Sequence, residues 1–407
     1  MTIKPLNVLL LGSGHYATGQ TVLSEKTQTD KDMGVVLPSL FELRRIGVVN
    51  QIVVVARNEE KISKVREKYS ASPLFKNINT DFVFVQNTTD YIAPKMTKEL
   101  KVVHNLDCIV IALPDHLHMG ALVASVDNNL PSLIVKPALT RLSDYYRIQE
   151  ISDANYIGLV DYHKVYDDAN VFIKYEYELG SYGKILNASS FMSQRADMLN
   201  VYAPWLAESP VLNVNHYLGS HYIHLVGFLT GATPKSVRAT GQFGYVKEEM
   251  GIDTFDSIQT SVDWRDSDGN IFTTIHFAGW ADPSSSEAMS YQEIRLTCKN
   301  GHIFSDQRNR GLQTVLRSGI PQLVNPYFFN ISNSLTGALN LRGKYGFESI
   351  NTFLEVVSSN NVDSLKSLPT LAESESVTAI LEAADKSLNN RSCVVNIERV
   401  NGQLKLS

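Results

Sequence analysis

Two rhythms of apolar and polar positions alternate over the first 150 or so residues. Short, mostly apolar runs fall at 6–11, 51–56, 81–86, 107–112 and 132–135. Their length and β-branched content suit strands buried on both faces. Between them the apolar residues recur three and four apart, as in Glu59 to Tyr69 and His118 to Asn128, which predicts helices. Alternation of this kind predicts a doubly wound parallel sheet. Leu142 to Ala154 reads as one more helix, leading out of this unit.

The texture then changes. Tyr156 to Val160 is strand-like, and Ala169 to Leu179 is helical and stops at Gly180. Ser257 to Trp264 and Ile271 to Phe277 alternate apolar and polar residues and flank the turn Asp266-Ser267-Asp268-Gly269-Asn270, the pattern of an antiparallel hairpin. Tyr291 to Thr297 extends the theme, helices follow at Phe347 to Val357 and Leu371 to Leu388, and a last strand falls at Cys393 to Ile397. The expected organisation is a dinucleotide-binding domain over 1–150. Residues 151–407 then form an α+β domain with a large, mainly antiparallel open sheet, whose final helix packs back on the first domain.

Composition narrows the function. With 407 residues and a net charge of −5, the chain can bury a sizeable core and carries no basic excess to suggest nucleic acid or an anionic membrane as partner. Cys108, Cys298 and Cys393 are far apart and have no metal-ligand spacing; so few suit a reducing compartment. We expect a cytoplasmic protein with a small-molecule substrate, no metal and no transmembrane segment.

The chemistry begins where the first strand ends. Asn7-Val8-Leu9-Leu10-Leu11 runs into Gly12-Ser13-Gly14-His15-Tyr16-Ala17, the G-x-G-x-x-A form of the dinucleotide fingerprint. Gly12 and Gly14 allow the tight turn and close approach to a pyrophosphate, Ala17 lets helix and strand pack, and His15 and Tyr16 lie in the turn between them. One departure follows. The next strand usually ends about 20 residues after the glycines, but here it lies about twice as far on. The surplus is a polar loop over 18–34, with the helical pattern starting near Val36. After that second strand comes Ala56-Arg57-Asn58, without an acid. An acid there would bind the ribose hydroxyls of NAD, whereas Arg57 can accommodate the 2′-phosphate of NADP. NADP(H) is therefore favoured over NAD(H). The second key segment is Val135-Lys136-Pro137, after the strand at 132–135. It puts a lysine at the carboxyl end of a parallel strand, where open α/β sheets bind ligands. A lysine whose pKa is lowered to about 7–8 can take the proton from a hydroxyl that gives up its hydride.

These motifs, taken in order, resemble the Gfo/Idh/MocA oxidoreductases, the family of glucose–fructose oxidoreductase and inositol dehydrogenase, over nearly the whole chain. Ala112-Leu113-Pro114-Asp115-His116-Leu117-His118 resembles the family's T-P-N-x-x-H segment, and Val135-Lys136-Pro137 its E-K-P signature. Gly180-Ser181-Tyr182-Gly183-Lys184-Ile185 resembles its G-x-x-G-K-I turn, Gly219-Ser220-His221 to His224 its G-x-H-x-x-D helix, and Tyr345-Gly346-Phe347-Glu348 its G-Y-x-x-E element. The resemblance implies a Rossmann domain and a hydride-transferring enzyme for a sugar or polyol. It implies Leu113, Pro114 and His118 beside the nicotinamide, Lys136 and His221 in acid–base work, and association into a homodimer or homotetramer through the second sheet. The chain departs from the family at Val135, which replaces the glutamate of E-K-P, at His224, which replaces the late acid, and at Tyr217, which replaces the aspartate four residues before His221.

His216, His221 and His224 form an H-x4-H-x2-H cluster with no thiolate or carboxylate nearby in sequence, so a metal site is not favoured. His221 reads as a substrate-orienting or proton-transfer residue, and His216 and His224 as structural. Tyr217 can donate from its phenol or simply pack at a helix start. Asp161, His163 and Lys164 follow the strand at 156–160 and suit hydroxyl binding or a solvated strand end. Arg195 and Trp205 precede the His221 helix, in a segment that lines the pocket in relatives. The leading expectation is an NAD(P)-dependent dehydrogenase or reductase acting on CH–OH groups. The alternatives are a dinucleotide-bound regulator without turnover and a redox-assisted glycoside hydrolase holding NAD tightly.

Overall fold

A computed structural model of the chain describes residues 4–19, 33–87, 92–208, 212–310 and 345–407, with the backbone of four short strands between 312 and 343; the side chains of 204, 205, 362 and 366 lie outside that description. The first sheet contains β1 (Leu6–Leu11), β2 (Val49–Ala56), β3 (Val83–Gln86), β4 (Cys108–Ile111), β5 (Ser132–Val135) and β6 (Gly158–Asp161). Their order is β3-β2-β1-β4-β5-β6, all parallel. The helices between them are α1 (His15–Thr18), α2 (Val36–Arg45), α3 (Glu59–Ala71), α4 (Pro94–His104), α5 (His118–Asp127) and α6 (Leu142–Ile151). Strand side chains alternate between faces, so each apolar run feeds two cores. Leu9, Leu11, Val53, Val55, Ile109 and Ile111 enter one; Val8, Leu10, Ile52, Val54, Cys108 and Val110 enter the other. Each fully buried leucine or valine contributes roughly 1.5–3 kcal/mol, and the buried polar residue within β1, Asn7, is satisfied by donating to the His104 and Asn105 carbonyls.

The parallel sheet runs past residue 150. β6 pairs with β5, matching Val135 to Asp161, so α6 is the crossover between them rather than an exit helix. The periodicity of a four-residue edge strand is too brief to reveal its sheet. Its outer edge is closed by a later segment: Val160 N–H donates to the Pro369 carbonyl at 2.7 Å, and Leu371 N–H to the Gly158 carbonyl at 2.9 Å.

The long polar excursion is a departure from and return to one place. α1 is a single turn closed by Gly19, and Val35 N–H donates to the Tyr16 carbonyl at 2.7 Å, so α2 starts against the turn that α1 left. Residues 20–32 of the predicted 18–34 loop lie outside the described residues.

The second half supplies β7 (Ile185–Arg195), β8 (Thr233–Gln242), β9 (Ser257–Arg265), β10 (Ile271–Asp282), β11 (Ser290–Cys298) and β12 (Gly301–Asp306). The hairpins β13 (Leu312–Thr314)/β14 (Gln322–Val324) and β15 (Phe329–Asn333)/β16 (Leu339–Gly343) follow, then β17 (Val395–Val400) and β18 (Gln403–Leu406). The large sheet has the order β12-β11-β7-β10-β9-β8-β17-β18. Its one parallel pair is β7 with β10, and the expected hairpin is present as β9/β10, pairing Arg265 with Ile271. The helices are α7 (Asp168–Glu178), α8 (Leu199–Glu208), α9 (Ser220–Thr230), α10 (Tyr245–Met250), α11 (Tyr345–Ser359) and α12 (Ser374–Asn389). α11 returns to the parallel sheet, where Phe347, Ile350, Phe353 and Leu354 share the core of Val8 and Leu10. α12 is tied to α6, whose Leu142 N–H donates to Glu382 at 2.8 Å. Among the described residues no helix is long and apolar enough to cross a membrane.

Candidate active site

A cavity of about 570 Å³ lies between the carboxyl ends of the parallel strands and the large sheet, the side on which open α/β sheets take ligands. Its first end is the glycine turn. Gly12 has φ +103°, and a Cβ there would fall 2.3 Å from the Ala112 carbonyl oxygen; only glycine permits β1 to turn so close to the end of β4. Gly14 is the opposite case. A Cβ on it would meet nothing within 4 Å, so open room lies above the turn, and His15, Tyr16 and Ala17 border the same space. Beyond it, Arg57, Asn58 and Lys61 line the cavity after β2. Asn58 caps α3 by accepting the Lys61 N–H at 3.0 Å. Burial and the charge of Arg57 both lower the pKa of Lys61, which places two cations in one neighbourhood. This end could hold a dinucleotide, with the glycine turn under a pyrophosphate and the cations beside an adenosine ribose.

The other end centres on Lys136. The Lys136–Pro137 bond is cis, and His118 braces the turn from below. Its Nδ1 faces the carbonyls of Pro137 (2.9 Å) and Ala138 (3.1 Å), and its Nε2 that of Leu113 at 2.9 Å. Carbonyls only accept, so a neutral ring donates to one side of this bridge, and the tautomer decides which. Burial outweighs Asp115 and the three carbonyls, which favour the charged form, and the His118 pKa is lowered. His118 thereby ties the Leu113 loop, after β4, to the Lys136 loop, after β5.

Lys136 Nζ donates to the Tyr217 carbonyl and lies 4.5 Å from the centre of the Tyr217 ring. The Tyr217 and Tyr202 hydroxyls are hydrogen-bonded at 2.6 Å. A π-helical turn, Asn215–Gly219, leads into α9 and brings Tyr217 and His221 to the same cavity; such turns recur at functional sites. The His221 ring lies 4.9 Å from that of His163. His163 Nδ1 is 3.9 Å from Asp161 Oδ1, and Asp161 accepts the Tyr16 hydroxyl at 2.6 Å. Burial first, then Asp161, hold the Tyr16 phenol well above its usual range, so it stays a donor.

The three histidines of the cluster part company. His221 lines the cavity. His224 stacks on Tyr162, centroids 3.7 Å apart, and burial lowers its pKa to about 3. His216 places Nε2 3.1 Å from Asp385 on α12 and Nδ1 3.9 Å from Asp115. Burial opposes its charge, but the two aspartates outweigh it and the pKa is raised. It clamps α12 to the Leu113 loop. Among the described residues no cluster of His, Cys, Asp and Glu could hold a metal ion.

Most of the residues expected at the site therefore converge on one cavity: Gly12, Gly14, His15, Tyr16, Ala17 and Arg57 at one end, and Leu113, Pro114, His118, Lys136, Asp161, His163, Tyr217 and His221 toward the other. Lys164 and Arg195 are not among its lining residues. Lys164 is buried behind the cavity wall, donating to Gln292 and Gln307 at 2.6 Å each. Arg195 forms a fork on Asp197, at 3.1 and 3.0 Å. Trp205 belongs to α8, but its side chain is outside the described residues. Sequence reasoning did not single out Lys61, Asp115, Tyr202, Gln194 or Gln292, all of which line the cavity. Lys61 had a signal, its four-residue spacing from Arg57, and Asp115 lay within the segment likened to T-P-N-x-x-H; Tyr202, Gln194 and Gln292 had none.

No family model matches the sequence, and a search of curated proteins gives no match. Solved structures do match. Apo scyllo-inositol dehydrogenase from Lactobacillus casei aligns with TM-score 0.66 and 12% identity, over 97% of this chain and 99% of that one. Myo-inositol 2-dehydrogenase from Lactobacillus plantarum aligns with TM-score 0.66 and 16% identity, over 97% and 100%. A myo-inositol dehydrogenase from Corynebacterium glutamicum aligns with TM-score 0.65 and 14% identity, over 97% and 100%. The Lactobacillus casei enzyme has also been solved with NAD(H) and scyllo-inositol bound. Across nearly its whole length, this chain has the fold of these inositol dehydrogenases, a six-stranded parallel sheet joined to an open, mainly antiparallel one.

Proposed function

We propose that the protein is an NAD(P)-dependent oxidoreductase of the Gfo/Idh/MocA family, transferring hydride between nicotinamide and a hydroxyl-bearing carbon of a sugar or polyol. The observation that carries the reading is the shared cavity. The glycine turn, with open room above Gly14, and Lys136, at the end of β5, border one space together with Tyr217 and His221. The fold shared with inositol dehydrogenases supports it.

A bound nicotinamide would accept or return the hydride. The chain's own residues handle the proton. Lys136 Nζ, held against the Tyr217 carbonyl, is the group to take the hydroxyl proton; His221 orients the same oxygen. Tyr217 stands where the related motif has an aspartate, and its hydroxyl shares a hydrogen bond with Tyr202, which gives a phenol pair in place of a carboxylate. Arg57 and Lys61 favour NADP(H), since two cations suit a 2′-phosphate. The three free cysteines fit a reducing, cytoplasmic setting.

A screen of sugars and polyols with both cofactors, read as absorbance of reduced nicotinamide, tests this. Tight dinucleotide binding with no turnover on any of them would favour the second reading, a sensor. That reading has an observation of its own, because the Lys136 ammonium and the Tyr217 hydroxyl both have protein partners.

The outer face of the large sheet carries Ile275 and Phe304, 42% and 53% exposed, beside the stacked rings of Phe191 and Phe277. An open sheet face of this kind is hidden by association, and we expect a homodimer or homotetramer. Light scattering at micromolar concentration checks it, and a monomer would contradict it.

A further inference from the structure

The wall of the cavity opposite the glycine turn is formed by two neighbouring strands of the large sheet. β7 and β11 are antiparallel and pair Gln194 with Ser290 and Met192 with Gln292. All four of these residues line the cavity, so Gln194 and Gln292 are diagonal neighbours on one face.

The two amide oxygens differ in what they meet. Gln292 Oε1 accepts from Lys164 Nζ at 2.6 Å. An ammonium only donates, so the amide oxygen is fixed toward Lys164 and the –NH2 group is turned away from it. The orientation is held from behind. Lys164 also donates to Gln307 Oε1 at 2.6 Å, which accepts from the Tyr222 hydroxyl at 3.1 Å. Gln307 Nε2 donates to Asn170 Oδ1 at 3.1 Å, and Asn170 Nδ2 to the Lys164 carbonyl at 2.8 Å. Lys164 is thus a positioning residue for Gln292. Gln194 is 7% exposed, and its Oε1 has no hydrogen-bond partner among the described residues. A buried acceptor left this way costs free energy until something donates to it.

We infer that Gln194 and Gln292 form a hydroxyl-recognition subsite that selects a neutral polyhydroxylated substrate over one with a carboxylate at that end. The inference rests on the reading of this cavity as a substrate site. A hydroxyl both donates and accepts, so adjacent hydroxyls can donate a hydrogen bond to Gln194 Oε1 and accept one from Gln292 Nε2. Met192, between them on the same face, meets the C–H surface of the ring. A carboxylate only accepts. It can accept a hydrogen bond from Gln292 Nε2, but it leaves Gln194 Oε1 unpaired and repelled.

Calorimetry tests this with the protein saturated in NADP+ or NAD+, using myo-inositol, D-glucose and D-glucuronate as probes. D-glucose or myo-inositol should bind, and D-glucuronate should bind at least tenfold more weakly than D-glucose. Gln292→Met and Gln194→Leu should each weaken the neutral ligand tenfold or more with cofactor affinity unchanged, and Gln194→Leu should narrow the gap to glucuronate. Equal affinity for D-glucose and D-glucuronate, unchanged neutral binding in both variants, or no binding of any probe to the wild type would each overturn the subsite. The wild-type comparison needs no variant to fold. Failure of the broader reading looks different: probes that bind with the expected preference but reduce no nicotinamide leave the subsite standing and remove the dehydrogenase.

Discussion

At the glycine end of the cavity the working atoms are backbone and a few side chains close together in sequence, whereas at the Lys136 end they are side chains from loops, a helix and a sheet far apart in the chain. The glycine end needs one glycine for its backbone, Gly12, one for the open room above it, Gly14, and two cations after β2. The Lys136 end needs a buried framework: His118 bracing one loop, His216 clamping another to α12, and the Lys164 network behind Gln292. The first end is therefore expected to answer to single substitutions without loss of fold. The second couples function to stability.

The largest effect on cofactor binding should come from Gly14→Asp. Nothing lies within 4 Å of a Cβ at Gly14, so the melting temperature should stay within about 2 °C of wild type. Dinucleotide affinity should nevertheless fall at least ~100-fold, or about 2.7 kcal/mol, because a side chain and a negative charge enter the open room. Retained affinity in a calorimetric titration would break the comparison at its first end. Next in size is the double variant Arg57→Ala/Lys61→Ala. Losing charge-assisted bonds to a 2′-phosphate should weaken NADP(H) by roughly 10- to 100-fold and leave NAD(H) alone. Equal losses for both cofactors would remove the case for NADP.

The glycine end was also the legible one. A fingerprint works because its constraint is local: Gly12 is needed where β1 turns, whatever the rest of the chain does. Lys136 was visible for a similar reason, as a lysine and proline at a strand end. Gln194 and Gln292 were not, because their meaning depends on which strands are neighbours. β7, with Ser190, Ser193 and Gln194 buried among small residues, has none of the apolar alternation that exposes a strand in sequence. Ser190 is buried because His276 meets its hydroxyl at 2.8 Å, a pairing that no periodicity shows. Lys164 and Arg195 carried the right chemistry for a site, yet the fold gives them partners within the protein. β6 was read as a strand, but its place at the edge of the parallel sheet depends on the segment around Pro369 that covers it.

Two smaller effects sharpen the account of the second end. His224 is buried neutral, with its pKa lowered to about 3. A histidine lowered on folding contributes stability that is present above the unfolded pKa of about 6.5 and is lost as pH falls toward the folded value. At pH 5 the loss from this one group should be about 2 kcal/mol. His224→Phe keeps the stack on Tyr162 and removes the titration, so its melting temperature should fall less steeply between pH 6.5 and 5. Parallel slopes would show that His224 titrates in the fold. Smallest is Tyr217→Phe, which deletes the hydroxyl bonded to Tyr202. Loss of a neutral hydrogen bond should reduce turnover only about two- to tenfold; a drop as large as that of a catalytic base would make the phenol, not the lysine, the proton acceptor.

The most direct test of the central claim, that Lys136 handles the substrate proton beside a bound dinucleotide, is Lys136→Met measured against wild type. Steady-state turnover is read as reduced nicotinamide on whichever neutral polyol the screen yields, alongside cofactor affinity. Turnover should fall by about 10²–10⁴-fold, the usual share of a positioned acid or base, with dinucleotide binding unchanged. Turnover equal to wild type would contradict the assignment.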